Sequence, residues 1–419
     1  MLASIIIPTH RPEFLAEAVA SALEQKWSGD LEVVIVTDKV SVKYEDPRIR
    51  IIPFFGTSGS VGAIKRFGFG AARGDILIEL DHDDLLHPQA VSKVADALTK
   101  TDFAYSNVAY FYPNFQAHTF GEIGDASGWK GRYRDVEFRG HILNEIVAFE
   151  PTPASIGHIW WAPDHVRAWT REGYLKAGGH DASMAIADDH DLVIRTYLSG
   201  SMAHIDECLY FYRVGVENTS TGDRNSLIQS ETHRLYGKYI EQIVRRWCDQ
   251  EKLPCFDLGG AHNAVEGWEV VDLVKDGTDL REKWPWSDSS VGAFRAFDFL
   301  EHLPNKMHTL SEMHRCLVPG GWALTCTPSA LGRGAFQDPT HVSYWVKNSF
   351  RYVTEASLAK YIGNDDVRFQ VQRLVEDNPW RIVNGSQGLS VEESKEIPYV
   401  TADLVALKPG YDGPGEKLI

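Results

Sequence analysis

The strongest constraint on the fold is an alternation of short β-branched runs with helical stretches. Ser4-Ile5-Ile6-Ile7 and Leu31-Glu32-Val33-Val34-Ile35-Val36 read as strands, and between them residues 13–25 carry Leu15, Val19, Ala22 and Leu23 at helical spacing. A second helical stretch over 61–72 leads into Ile76-Leu77-Ile78-Glu79-Leu80, which stops at an acidic cluster. Parallel strands need long crossovers, usually helices, so the pattern predicts a parallel, doubly wound α/β sheet with ligands at the carboxyl ends of its strands. Residues 226–251 then read as one polar helix with Leu227, Ile240, Ile243, Val244 and Trp247 as its apolar positions. A second alternation starts at Pro254, with strands over 255–258, 268–272 and 322–326.

A chain of 419 residues exceeds one ordinary core, so two domains of about 200 residues are expected. The predicted division is 1–222, a helical linker 223–253, a second α/β domain 254–408 and a loose Pro- and Gly-rich tail 409–419. No run reaches the roughly 20 apolar residues of a membrane span. The first residues lack a basic segment and cleavage site, which makes the cytoplasm the expected location. A net charge of −16 with no local basic patch disfavours a nucleic-acid partner. Cys208, Cys248, Cys255, Cys316 and Cys326 form no C-x-x-C pair, so reduced, mostly buried thiols are expected.

Asp81, Asp83 and Asp84 crowd the turn after the third strand. Carboxylates this close raise one another's pKa unless a hard divalent ion shares them; the alternative is a solvated turn with Asp84 capping a helix. Asp188, Asp189 and Asp191 precede Leu192-Val193-Ile194, where they either support a helix N-terminus or supply a general base. His10, His82, His87, His180 and His190 lack the i, i+4 spacing of a zinc helix and read as surface or supporting groups.

Taken in order, Ser4-Ile5-Ile6-Ile7-Pro8-Thr9-His10-Arg11, Val34-Ile35-Val36-Thr37-Asp38, Gly62-Ala63-Ile64-Lys65-Arg66, the Asp81 cluster, Gly178-Gly179-His180-Asp181, Ala187-Asp188-Asp189 and Tyr210-Phe211-Tyr212-Arg213 resemble the GT-A glycosyltransferases of inverting family 2. The resemblance covers nearly all of residues 3–220. It implies transfer of a hexose or deoxyhexose from a nucleotide-diphosphate donor, with Mn²⁺ or Mg²⁺, to a glycan, lipid-linked or protein acceptor. Residue by residue it implies Pro8, Thr9, Arg11 and Asp38 on the nucleotide, and Lys65 and Arg66 on the diphosphate, where the family more often has Arg and Asn. Asp81 and Asp83 match the DxD pair, with Asp83 on the metal and Asp81 on the ribose or a bridging water. Asp189 takes the place of the base, flanked by Asp188 and Asp191, and Arg213 that of a residue closing over the diphosphate. Trp129, Trp160 and Trp161 are candidates for an acceptor wall.

In the second half, Asp257-Leu258-Gly259-Gly260-Ala261, Val270-Val271-Asp272, Thr278-Asp279-Leu280, Phe299-Leu300-Glu301-His302-Leu303-Pro304, Val318-Pro319-Gly320-Gly321 and Gln337-Asp338-Pro339-Thr340-His341 resemble the class I methyltransferases that use S-adenosyl-L-methionine, over about residues 254–355. The short, Rossmann-like form of that fold is implied, with the first helix nearly deleted. Asp257, Gly259, Gly260, Asp272 and Asp279 would line the cofactor, and His302, Asp338 and His341 are the candidates for methyl transfer to the same glycan. The turn departs from the usual G-x-G.

Two rivals stand beside this reading. A nucleotidyltransferase would carry a Gly-rich basic signature after the first strand, and Pro8-Thr9-His10-Arg11-Pro12 has no glycine. A non-catalytic glycan- or partner-binding protein would not need Asp38, Asp81, Asp83 and Asp189 together. No Gln-x-x-Arg-Trp motif argues for processive synthesis.

Overall fold

The computed structural model describes residues 1–56, 60–121, 132–215, 223–261, 264–363, 366–377 and 397–411. Trp129, the predicted domain end at 222, His262 and Asn263 of the Gly-rich turn, and the tail from 412 lie outside the described residues. The chain divides into two compact units, Met1–Tyr239 and Ile240–Ile419. The division falls inside the helix Asp223–Glu251, where Leu227 is exposed and Ile228 takes the buried position expected of it. All five cysteines are free and buried. No helix among the described residues is long and apolar enough to cross a membrane.

The first unit is built on β1 (Leu2–Thr9), β2 (Asp30–Thr37), β3 (Ile49–Pro53), β4 (Ile76–Glu79), β5 (Leu85–Leu86), β6 (Phe103–Phe111), β7 (Ala117–His118), β8 (Tyr133–Phe138), β9 (His141–Ile146), β10 (Arg167–Thr170) and β11 (Met202–Arg213). The main order is β3-β2-β1-β4-β10-β6-β11-β5, and β7 and β9 also pair with β6 while β8 pairs with β9. Strands β3, β2, β1 and β4 are parallel. The prediction of a wholly parallel sheet is corrected beyond them, because β10 enters antiparallel to both β4 and β6 and makes the sheet mixed. Four residues that include Arg167 and Trp169 gave no strand signal; β10 is held by two flanking ladders rather than by propensity.

Ile5, Ile6, Ile7 and Val33 to Val36 are fully buried, as continuous apolar strands covered on both faces must be. Leu15, Ala18, Val19 and Ala22 of the helix Leu15–Leu23 pack on this sheet in one core with Val91 and Val94. The chain runs outward from β1 through β2 to β3 and then returns to β4 on the other side of β1. That reversal opens a crevice at the carboxyl ends of β1 and β4, the place where open α/β sheets bind ligands.

The second unit carries β12 (Cys255–Leu258), β13 (Glu269–Val271), β14 (Val291–Phe297), β15 (Leu317–Pro328), β16 (Phe369–Asp377) and β17 (Tyr399–Ala406) in the order β13-β12-β14-β15-β17-β16. The first four strands of that order are parallel, and β17 and β16 are antiparallel. No helix lies among the described residues between β12 and β13. Phe256, Leu258, Phe294 and Leu404 share a core with Trp284, Trp345 and Phe350.

Candidate active site

The crevice beside β1 gathers the predicted nucleotide residues. Thr9 Oγ1 donates to the Arg11 carbonyl at 2.6 Å, and the Asp38 amide donates to the Thr9 carbonyl at 2.8 Å, which ties the ends of β1 and β2 together. Thr9 is buried, whereas Pro8, Arg11 and Asp38 are half-buried at the rim. Across the crevice, the Asp81 amide donates to the Tyr210 hydroxyl at 3.1 Å, and that hydroxyl donates to Asp84 Oδ2 at 2.8 Å. Asp84 Oδ1 accepts the Arg213 amide at 2.7 Å. Asp84 is therefore not a helix cap: it is a buried clamp that joins this loop to β11, and β5 rather than a helix follows it.

Asp81 and Asp83 remain half-buried side by side. Burial pushes the Asp83 carboxyl above its ordinary range, His82 and Arg11 oppose this, Asp81 adds to it, and the net shift is upward. Two carboxylates crowded in partial burial are a donor set that fits a hard divalent cation such as Mn²⁺ or Mg²⁺.

Three predicted diphosphate contacts are employed elsewhere. Lys65 is buried and ion-paired with Glu79, the fully buried last residue of β4, which needs a cation inside the protein. Arg66 is exposed and donates to the carbonyls of Gly178 at 3.0 Å and His180 at 2.7 Å. Arg213, 1% exposed, donates from Nε to the Asp83 carbonyl at 2.7 Å, pairs with Glu17 at 3.0 Å and lies 4.2 Å over the Phe14 ring. It shapes the acidic loop from behind.

The helix Asp188–Ser199 starts after Ala187, whose φ of 54° lies in the left-handed region that costs a residue with a Cβ about 1 kcal/mol or more. Gly62 permits the close approach of the helix Val61–Ala71 to this segment, since a Cβ there would stand 2.1 Å from the Asp181 carbonyl. Asp189 Oδ2 pairs with Arg167 Nη1 at 2.6 Å, and Arg167 also donates to the carbonyls of Pro163 and Trp161. Burial opposes ionisation of Asp189, but Arg167 and Lys65 hold its carboxyl well below the usual carboxylate range.

Asp188 is buried, its Oδ2 has no hydrogen-bond partner, and burial pushes its carboxyl up to about 7 against the pull of Lys65. Asp191 is structural: its oxygens accept from Arg195 at 2.8 Å and from the Tyr239 hydroxyl at 3.0 Å. His180 is fully buried with Nδ1 against the Tyr174 hydroxyl, and burial lowers it to about 3, so it stays neutral beside Asp188. Trp160 and Trp161 are half-buried, and Trp161 packs 5.5 Å from Phe149.

Residues 4–149 match the model of glycosyl transferase family 2. That match covers about a third of the chain, and the mixed α/β sheet of the first unit contains it. Within the matched segment lie Thr9, Asp38, Asp81 and Asp83; Asp188 and Asp189 follow it. Over 262 residues the chain is 26% identical to the O-antigen biosynthesis protein RfbC of Myxococcus xanthus, which covers 58% of this chain and 18% of that protein. Over 243 residues it is 26% identical to the chondroitin synthase of Escherichia coli, covering 55% of this chain and 31% of that protein. The chain thus spans less than a third of the length of these relatives. Crystal structures of S. aureus TarS residues 1–349 with UDP and with UDP-GlcNAc each align at a TM-score of 0.40 and 14% identity, over 59% and 58% of this chain and 70% and 72% of theirs.

In the second unit, Asp257 is fully buried and pairs with Arg295 at 2.9 Å, which also pairs with Glu241 at 2.8 Å. Gly259 has a φ of 71° and a Cβ there would meet Phe299, while one at Gly260 would stand 2.4 Å from Asp257 Oδ2. Asp272 Oδ1 accepts the amides of Val274 and Lys275 and so caps the helix Leu273–Asp276. Asp279 pairs with Arg281 at 2.6 Å on the surface. His302 and His341 face each other with ring centroids 4.9 Å apart, and Asp338 Oδ2 lies 4.0 Å from His341 Nε2.

Sequence reasoning missed Glu79, Arg167, Tyr210 and Glu17. Glu79 was legible as an ionisable residue ending an apolar strand, and Lys65 sits on the buried face of its helix with Gly62, Gly68 and Phe69.

Proposed function

We propose that the N-terminal unit is a divalent-metal-dependent, inverting glycosyltransferase using a nucleotide-diphosphate sugar. The observation that carries this reading is the convergence of Thr9, Asp38, Asp81 and Asp83 on the crevice where the strand order reverses, inside the segment that matches family 2. Asp38 would accept an N–H of the nucleobase, and Asp81 and Asp83 would hold Mn²⁺ or Mg²⁺. Such a cation supplies neutralisation of charge developing on the leaving diphosphate. Of the acidic pair, Asp189 is the one solvent reaches, its side chain 18% exposed against 4% for Asp188, so it is our base for the acceptor hydroxyl. Arg167 keeps it ionised and fixes its direction, and one displacement inverts the anomeric centre. Relatives named for O-antigen biosynthesis and chondroitin synthesis support a glycan acceptor.

For the C-terminal unit we propose methyl transfer from S-adenosyl-L-methionine to a glycan hydroxyl. Its support is the parallel set β13-β12-β14-β15, with the Gly259 turn after β12 and Asp272 at the end of β13.

Melting temperatures with a panel of UDP-, GDP- and dTDP-sugars, with and without Mn²⁺, test the first proposal, because a ligand that binds only the native state raises them. A metal-dependent rise with one donor is expected, and no rise with any would favour a binding module. S-adenosylhomocysteine tests the second, and absence of a shift would leave that unit a scaffold.

A further inference from the structure

We infer that Glu301, His302 and His341 form a site for a first-row divalent cation in the C-terminal unit, separate from the transferase crevice. Glu301 and His302 lie in the 3-10 turn Leu300–His302 that follows β14, and His341 comes from the segment before the helix Lys347–Thr354. The backbone locks these pieces together. The amides of Val342 and Ser343 donate to the Glu301 carbonyl at 2.9 and 3.0 Å, and Ser343 Oγ donates to the Leu300 carbonyl at 3.1 Å.

The ligand atoms of the three residues all lie within 4.8 Å of one another, and His341 Nε2 stands 3.9 Å from Glu301 Oε1. Two donors each about 2.0–2.2 Å from one ion are at most about 4.4 Å apart, so that pair already brackets a cation. Both rings are oriented from behind. His341 Nδ1 is 3.0 Å from the Ala335 carbonyl, and His302 Nδ1 is 3.3 Å from the Thr340 carbonyl. An imidazole that donates from Nδ1 offers Nε2 as a lone pair, the arrangement that metal-ligating histidines take from their supporting hydrogen bonds.

Glu301 is the independent sign that a ligand belongs here. Its side chain is 1% exposed, and Oε2 accepts Thr327 Oγ1 at 2.7 Å, yet Oε1 has no hydrogen-bond partner and faces His341. A buried carboxylate oxygen left unpaired costs about 1–3 kcal/mol or more, and a cation between it and the imidazoles removes that cost. Two imidazoles and one carboxylate suit Zn²⁺, Fe²⁺ or Mn²⁺ and leave coordination positions open for an oxygen ligand. Asp338, 46% exposed, brings a further carboxylate to 4.0 Å from His341 Nε2. The position, at the carboxyl end of a parallel strand, is where a substrate of this sheet would arrive.

The test uses the full chain, stripped with EDTA and carrying Asp83→Asn to weaken the N-terminal carboxylate pair, titrated with Co²⁺ alone. One equivalent should bind with the visible absorption of nitrogen-ligated Co²⁺ and be displaced by Zn²⁺. Glu301→Gln and His341→Ala should each weaken binding at least about tenfold, and His308→Ala, on the same unit but outside the cluster, should not. No saturable binding, or equal affinity in Glu301→Gln and its parent, overturns the site. Glu301→Gln keeps the side-chain shape, so it decides the matter if circular dichroism shows that His341→Ala fails to fold.

Discussion

The first unit contains two acidic clusters, and they are neutralised in opposite ways. Around Asp188, Asp189 and Asp191 the protein supplies its own cations: Arg167 on Asp189, Arg195 on Asp191, and Lys65 packed beneath with Glu79. Around Asp81, Asp83 and Asp84 neutral groups donate, the Tyr210 hydroxyl and the Arg213 amide to Asp84, and burial keeps Asp83 shifted upward despite His82 and Arg11. The first cluster is closed by the protein's own cations and holds an ionised carboxylate in place; in the second, burial at Asp83 outweighs the nearby His82 and Arg11. Adjacent aspartates in a sequence do not announce a metal site, and what decides is whether the fold brings cations to them.

Asp83→Ala attacks the open cluster and should have the largest effect. Transfer should disappear, and with it the Mn²⁺-dependent rise in melting temperature on adding donor; retention of that rise would remove Asp83 from the metal site. Asp189→Asn attacks the closed cluster. It should leave the metal-dependent donor shift intact and lower the transfer rate by about 10²–10⁴-fold, the range for loss of a general base. Full activity in this variant would return Asp189 to a structural role. The two variants together separate donor binding from chemistry, because both should lose transfer and only Asp83→Ala should lose the donor shift.

Lys65→Met probes the cations that close the Asp188 cluster. It strands Glu79 in the interior, and breaking a buried pair from one side costs about 3–5 kcal/mol. Urea denaturation should show that loss, and Lys65→Met with Glu79→Leu should recover most of it. An unchanged midpoint in the single variant would mean that Glu79 finds another partner.

What could be read from the chain was local. β-branched runs and helical spacing marked β1, β2, β4 and the helices between them, and crowding marked Asp81 and Asp83. What stayed hidden depends on partners distant in sequence: Arg167 reaches Asp189 22 residues on, and Arg213 reaches Glu17 across 196. Nothing within either local stretch demands those pairings. β10 escaped for the same reason, since its hydrogen bonds come from β4 and β6 and its own four residues have little strand character. Asp84 looked like a cap because acidic residues before helices usually are, and only the return of β11 gives its oxygens the Tyr210 and Arg213 donors.

The smallest expected effect concerns Asp188, and it turns on charge balance. Lys65 and Arg167 are matched by Glu79 and Asp189, so the buried cluster is neutral only while Asp188 keeps its proton and His180 has none. Burial accordingly pushes Asp188 up to about 7. In the unfolded chain the same carboxyl ionises near 3.8, so between these values the native state binds more protons. The group's contribution to stability therefore falls as pH rises through that window. Asp188→Asn removes the titration while keeping the shape. Its melting temperature relative to the parent should climb from pH 4 to pH 7 and level off above. A difference that stays flat across that range would mean that Asp188 is ionised in the native protein, and that the cluster is balanced by a cation other than Lys65 and Arg167.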